Sequence, residues 1–117
     1  MKISARNVFE GTITALVDGK VNAEVEVTTP GGDRIVAIVT EGSVASLGLA
    51  VGKPALAYVK APWVMVLAGD CGVKFSARNQ LAGVVDSVLK GAVNSDVAIR
   101  LAGGTLVHAV ITNEAVM

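Results

Sequence analysis

Cysteine occurs once in this sequence, at Cys71, so no disulfide can form within the chain, which fits a reducing compartment. Aromatic residues amount to 3%, with one Trp, one Tyr and two Phe. A barrel that binds single-stranded nucleic acid needs stacking aromatics along a basic groove, and both ingredients are scarce here. Lys plus Arg is 10 and Asp plus Glu is 10, giving a formal net charge of zero. That argues against a general binder of nucleic acid or acidic membrane, but not against a small anion held by a few fixed donors. Long hydrophobic runs are also missing. The longest, A-P-W-V-M-V-L-A, is strand-sized, far short of the roughly 18 residues of a membrane span. The opening M-K-I-S-A-R-N has no apolar core of signal-peptide length. The expectation is a soluble, cytoplasmic protein. No nucleophile–base pair stands out, and His108 is the only histidine, so neither catalysis nor a metal centre is expected.

What the chain does have is small aliphatic residues and glycine. It is 52% hydrophobic, mostly Val, Ala, Leu and Ile, with 13 glycines, a composition that favours strands and tight turns. It also carries one phrase twice: K-I-S-A-R-N at Lys2–Asn7 and K-F-S-A-R-N at Lys74–Asn79. A shift of 72 positions aligns Lys2–Ala45 with Lys74–Met117 without a gap, giving 15 identities in 44 pairs. The identities reach from Lys2/Lys74 through Gly11/Gly83, Asn22/Asn94 and Gly32/Gly104 to Thr40/Thr112 and Val44/Val116. Such a match marks an internal duplication. The second copy stops where the first has Ala45, so it lacks a counterpart of Ser46–Ala68. Either this is a truncated form or another chain completes it. The expected organisation is a first domain over 1–68, a small-residue linker over 69–73 and a shortened second domain over 74–117.

Within one copy, N-V-F-E-G-T-I-T-A-L-V-D reads as a strand ending at the hairpin dipeptide Asp18-Gly19. V-N-A-E-V-E-V-T-T alternates, with Val21, Ala23, Val25 and Val27 on one face. Pro30–Asp33 reads as a turn and R-I-V-A-I-V-T as a third strand. Thr40 is placed as a helix N-cap, with Glu41 in the first turn. Val44, Leu47 and Leu49 would form the helix's apolar stripe, and Gly48 or Gly52 its end. A last strand follows Lys53-Pro54 and breaks near Pro62. Short strands, hairpin turns and one short helix per copy fit an all-β chain of two tandem small barrels of the oligonucleotide/oligosaccharide-binding (OB) type, the second C-terminally incomplete. A small sandwich is the other option.

With S-A-R-N, V-N-A-E-V, the T-x-x-S helix start and V-K-A-P-W-V in order, and the first part of the set duplicated, the chain resembles the molbindins. These are small proteins built from Mop (TOBE-type) domains, and two copies in tandem make it similar to the di-Mop members. The resemblance implies OB-like barrels, no enzymatic activity and cytoplasmic molybdenum storage and homeostasis. It also implies binding of molybdate, or the similar tungstate, between domains or subunits, and a cyclic homo-oligomer, commonly a trimer. Molybdate is a tetrahedral dianion, which a protein holds with converging N–H groups, hydroxyls and one or two cations. By the same resemblance the binding residues of the first copy are Ser4, Arg6, Asn7, Thr40, Ser43, Lys60 and Ala61, the last through its backbone N–H. Those of the second are Ser76, Arg78, Asn79 and Thr112. Ala115 stands where the first copy has Ser43, and Lys60 has no counterpart. Ser76 and Arg78 would therefore be completed by Lys60 or by a neighbouring chain.

Plainer readings sit beside these. Thr40 could be a helix cap alone, Lys60 a solvated lysine, and S-A-R-N a strand end with Arg6 in a surface ion pair. His108 reads as structural, Cys71 as incidental, and Trp63 as an edge or interface residue. Two other functions compete with storage. One is a molybdate-sensing regulatory module detached from a DNA-binding or transporter domain, for which 117 residues leave no room. The other is an OB-fold nucleic-acid-binding module.

Overall fold

A computed structural model of the chain describes residues 7–67 and 78–116. The expected linker, Ser4 and Arg6 of the first S-A-R-N phrase, and Ser76 of the second lie outside the described residues. The elements are almost all strands. They run β1 (Asn7–Asp18), β2 (Asn22–Thr28), β3 (Arg34–Thr40), α1 (Glu41–Leu47), β4 (Pro54–Val59), a 3-10 turn (Ala61–Trp63), β5 (Gly83–Lys90), β6 (Asn94–Leu101), β7 (Leu106–Thr112) and α2 (Asn113–Val116). They form two sheets, of order β3-β2-β1-β4 and β5-β6-β7, and the pairs β1–β2, β2–β3, β5–β6 and β6–β7 are antiparallel. This is a mostly-β architecture of two sheets, in keeping with tandem OB-like barrels.

The duplication is visible bond for bond. Gly19 donates its N–H to Asn22 O and Gly91 to Asn94 O, both at 2.9 Å, closing the two β-hairpins. Gly32 and Gly104 have φ of +96° and +94° in the second turns, a region open to glycine and strained for other residues. Pairing slips by one residue between Ile13 and Ala15, and again between Val85 and Ser87, which leaves Thr14 and Asp86 as the extra residues of two bulges. Each extra residue reaches across its hairpin. Thr14 Oγ1 donates to Glu26 Oε1 at 2.8 Å, and Asp86 accepts from Arg100 at 3.0 and 3.2 Å.

The chain divides into two compact units. Val8–Ala57 form the first, and Asn7 joins the described residues from Tyr58 onward in the second. The core of the first is Phe9, Ile13, Ala23, Val25, Val27 and Ile35. The alternation in V-N-A-E-V-E-V therefore holds from Ala23 onward, while Val21 precedes β2 and is exposed. The core of the second is Val97, Ala98, Leu101, Val107 and Ala109, with Ala61 from the 3-10 turn. That turn packs against β7. So residues of the first sequence copy, Asn7 and Tyr58–Leu67, fold with the second.

Two local expectations change. Helix α1 begins at Thr40 and ends at Gly48, whose φ of +64° is the left-handed C-cap, but it buries no residue. Leu47 is exposed and Leu49 lies beyond the helix, so the stripe of Val44, Leu47 and Leu49 is not a core face. Seven residues are two turns, too few to lay a stripe over a sheet. The last strand ends at Val59, because Pro62 cannot donate to a ladder and the chain tightens into the 3-10 turn instead.

Candidate functional site

Thr40 ends β3 with extended backbone and caps α1. Its Oγ1 accepts the Ser43 N–H at 3.1 Å and lies 2.8 Å from Ser43 Oγ. One of the two hydroxyls donates to the other, which leaves a second O–H free to point outward. Glu41, between them in sequence, does not share this corner: Gly19 N–H donates to its Oε1 at 3.1 Å, and its own N–H donates to Val21 O. The pair Thr40–Ser43 thus presents hydroxyl donors at a helix start, where the backbone dipoles favour negative charge.

The second copy builds the same corner differently. Thr112 ends β7 and pairs with Asn94, as Thr40 pairs with Asn22. Where the first copy has Glu41, the second has Asn113. This neutral amide accepts from Ser95 Oγ at 2.5 Å and donates to Gly91 O at 3.0 Å. With Ala115 in place of Ser43, the second helix start has lost one hydroxyl, and its first-turn carboxylate is Glu114, one position later than Glu41 in the first copy.

Lys60 and Ala61 belong to the second unit together with Asn7, Arg78, Asn79 and Thr112, whereas Thr40 and Ser43 belong to the first. Lys60 caps the 3-10 turn, and Trp63 and Val64 donate the turn's bonds to Lys60 O and Ala61 O. As the first residue of the turn, Ala61 does not spend its N–H within it. The Lys60 ammonium sits 5.6 Å from the centre of the exposed Trp63 ring, within cation–π range. Stacking on the ring holds the ammonium without neutralising it. Trp63, read from the sequence as an edge residue, is therefore the platform under the candidate cation. The signal for it was the Lys-x-Pro-Trp spacing across a turn.

Asn7 is 1% exposed, and both ends of its amide are used. Nδ2 donates to His108 O at 2.8 Å and Oδ1 accepts the His108 N–H at 2.5 Å. The side chain imitates a neighbouring strand and ties the end of the first S-A-R-N phrase to β7. The His108 ring faces Asp96, with Nδ1 3.2 Å from Oδ1. Arg78 and Asn79 are exposed and have partners of their own. Among the described residues no cluster of His, Cys, Asp and Glu could hold a metal ion, and no helix is long and apolar enough to cross a membrane.

Two OB-like sheets of duplicated sequence, each with a threonine ending its third strand at a helix start, define the class of fold. The TOBE domain profile matches residues 3–66 and 76–117, and the chain belongs to that family. It is similar to the crystal structure of the cytoplasmic molybdate-binding protein ModG with molybdate bound. The identity is 52% and the TM-score 0.91, over 99% of this chain and 82% of that one. It is 41% identical to the molybdenum transport protein ModE of Herbaspirillum seropedicae, over 99% of this chain and 43% of ModE. The structure of MopII from Clostridium pasteurianum matches 57% of this chain and all of its own, at 42% identity and a TM-score of 0.54. The chain thus spans less than half the length of the curated relative and falls short of two copies of the smaller Mop protein.

Proposed function

We propose that this protein binds molybdate, with tungstate as the similar second ligand, and serves cytoplasmic molybdenum storage and homeostasis rather than catalysis. The observation that carries this reading is the likeness to molybdate-bound ModG at 52% identity over nearly the whole chain. The donor set supports it. Ser4, Arg6, Thr40, Ser43, Lys60 and the Ala61 N–H offer hydroxyls, two cations and a backbone donor to a tetrahedral dianion, and Ser76, Arg78 and Thr112 repeat part of that set. Asn7 and Asn79 complete the phrases, and Asn7 acts by anchoring its strand. A dianion taken from water needs such compensation from every side. That Lys60 and Ala61 fold with the second copy supports their serving Ser76 and Arg78, whose own copy has no counterpart of Lys60. A homo-oligomer, with the trimer favoured, supplies the remaining walls. A second reading, a molybdate-sensing module of a longer regulator, is favoured by the 39% identity to the DNA-binding transcriptional dual regulator ModE of Escherichia coli (strain K12), over 44% of that protein's length.

Calorimetric titration tests the proposal. Molybdate is expected to bind and sulfate to give no heat. Arg6→Ala and Lys60→Ala are each expected to weaken molybdate by about tenfold or more while leaving the fold intact, the value of a lost charge-assisted hydrogen bond. Absence of molybdate heat on a folded oligomer overturns the binding reading. Unchanged affinity in both variants overturns the site.

A further inference from the structure

Lys60 and Trp63 stand three residues apart in the sequence, and the 3-10 turn brings their side chains together. Trp63 donates its N–H to Lys60 O at 3.0 Å, which closes the turn. In 3-10 geometry side chains three apart eclipse, so the two project from the same side. Pro62 fixes one φ within the turn. Ala61 is 1% exposed and the turn packs on β7, so the backbone is anchored while Lys60 and Trp63 stay exposed. The ammonium lies 5.6 Å from the ring centre. Among the described residues no carboxylate pairs with it, whereas Arg100 in the same unit is committed to Asp86 at 3.0 Å. Lys60 thus keeps its full charge, and a ring rather than a counter-ion sets its direction.

The geometry points to Trp63 as a positioning residue for the oxyanion, acting through Lys60. A lysine left alone has a flexible four-carbon stem, whose rotamers must be ordered when the ammonium closes on a ligand. The indole face orders the stem before the anion arrives, so the dianion meets a cation already in place. A carboxylate could hold the ammonium too, but it would cancel the charge that the dianion needs. An aromatic face holds it and leaves the charge available. Trp63 then sets how tightly Lys60 binds without touching the ligand itself. The inference rests on the reading of Lys60 as an anion donor.

The test pairs two measurements on the full chain. By NMR of the anion-free protein, the Lys60 Hε protons are expected upfield of those of the other lysines, shifted by the Trp63 ring current. Trp63→Leu is expected to erase that shift. Calorimetric titration with molybdate then compares the unaltered protein, Trp63→Leu, Lys60→Ala and the double variant. Trp63→Leu keeps an apolar side chain but no aromatic face, and is expected to weaken molybdate about two- to fivefold, the range of an exposed cation–π contact. Trp63→Phe, whose ring attracts a cation less strongly, is expected to fall between. In the Lys60→Ala background Trp63→Leu is expected to have no effect, because the group it acts through is gone. An equal loss in both backgrounds would make Trp63 a packing residue and overturn the inference. So would a missing upfield shift, or unchanged affinity in Trp63→Leu where Lys60→Ala is weakened. An upfield shift with no molybdate heat in the unaltered protein would instead sink the anion reading, and this inference with it. If native mass shows that Trp63→Leu alters assembly, Trp63→Phe in the same two backgrounds carries the comparison.

Discussion

Asn7 carries more of this molecule than its size implies. Its amide bonds to both the N–H and the C=O of His108, 101 residues away, from a position almost closed to water. Truncating it leaves two backbone groups of β7 without partners. Asn7→Ala is therefore expected to lower stability by about 2–4 kcal/mol, measured by urea unfolding, at about 1–3 kcal/mol for each buried group left unpaired. Asn7→Asp keeps an acceptor but loses the donor and brings a charge inside, and is expected to be no better. A loss below about 0.5 kcal/mol in Asn7→Ala, the range of ordinary surface changes, would show that water replaces the clamp at no cost. Because Asn7 follows Arg6 directly, the same variant is expected to weaken molybdate in the titration above. The sequence showed that S-A-R-N recurs. It did not show that the asparagine bonds to β7, because that contact depends on tertiary structure and leaves no local pattern.

At the level of the elements, the hairpins rest on close approaches that only glycine allows. A Cβ on Gly11 would lie 2.0 Å from Thr28 O, and one on Gly83 2.6 Å from Arg100 O. Gly48 is the opposite case: its φ is +64° but open space surrounds it. Gly11→Ala is expected to cost about 3 kcal/mol, because a backbone carbonyl must move and the β1–β2 ladder with it. Gly48→Ala is expected to cost about 1 kcal/mol, the penalty of a side chain in left-handed backbone. Thermal unfolding of the two variants checks the order, and the reverse order would refute the steric account. Strands, hairpins and both caps of α1 were legible because alternation, Asp-Gly, Thr-x-x-Ser and Gly are local signals. The helix stripe was misread because Val44, Leu47 and Leu49 have helical spacing, whereas burial depends on what lies opposite. The grouping of Tyr58–Leu67 with the second unit was not legible: all of 1–68 read as one domain, and the one hint was that Ser76 and Arg78, lacking a counterpart of Lys60, needed Lys60 or a neighbouring chain.

At the scale of the whole molecule, many large apolar side chains among the described residues are open to water. Met65 is 84% exposed, Trp63 69% and Leu47 70%, with Val51, Leu56, Tyr58 and Leu67 also open. Within each unit, large apolar side chains left exposed in this way mark interfaces. The run Trp63–Leu67 is the densest group of them, on a stretch with no strand or helix after the 3-10 turn. Native mass spectrometry is expected to find three times the 11.9 kDa chain mass for the unaltered protein. Met65→Lys replaces the most exposed of these side chains with a charge that a water-excluded interface would have to bury, at a cost of several kcal/mol unless paired. In an isolated chain the same change sits in solvent and is expected to cost about 0.5 kcal/mol or less. The two effects separate cleanly: the variant should fold with its β-sheet circular dichroism intact and appear at the single-chain mass. An unchanged oligomer in Met65→Lys would place the interface elsewhere on the surface. A single-chain mass for the unaltered protein would remove the homo-oligomer from the proposal, and with it any anion site whose walls come from a neighbouring copy.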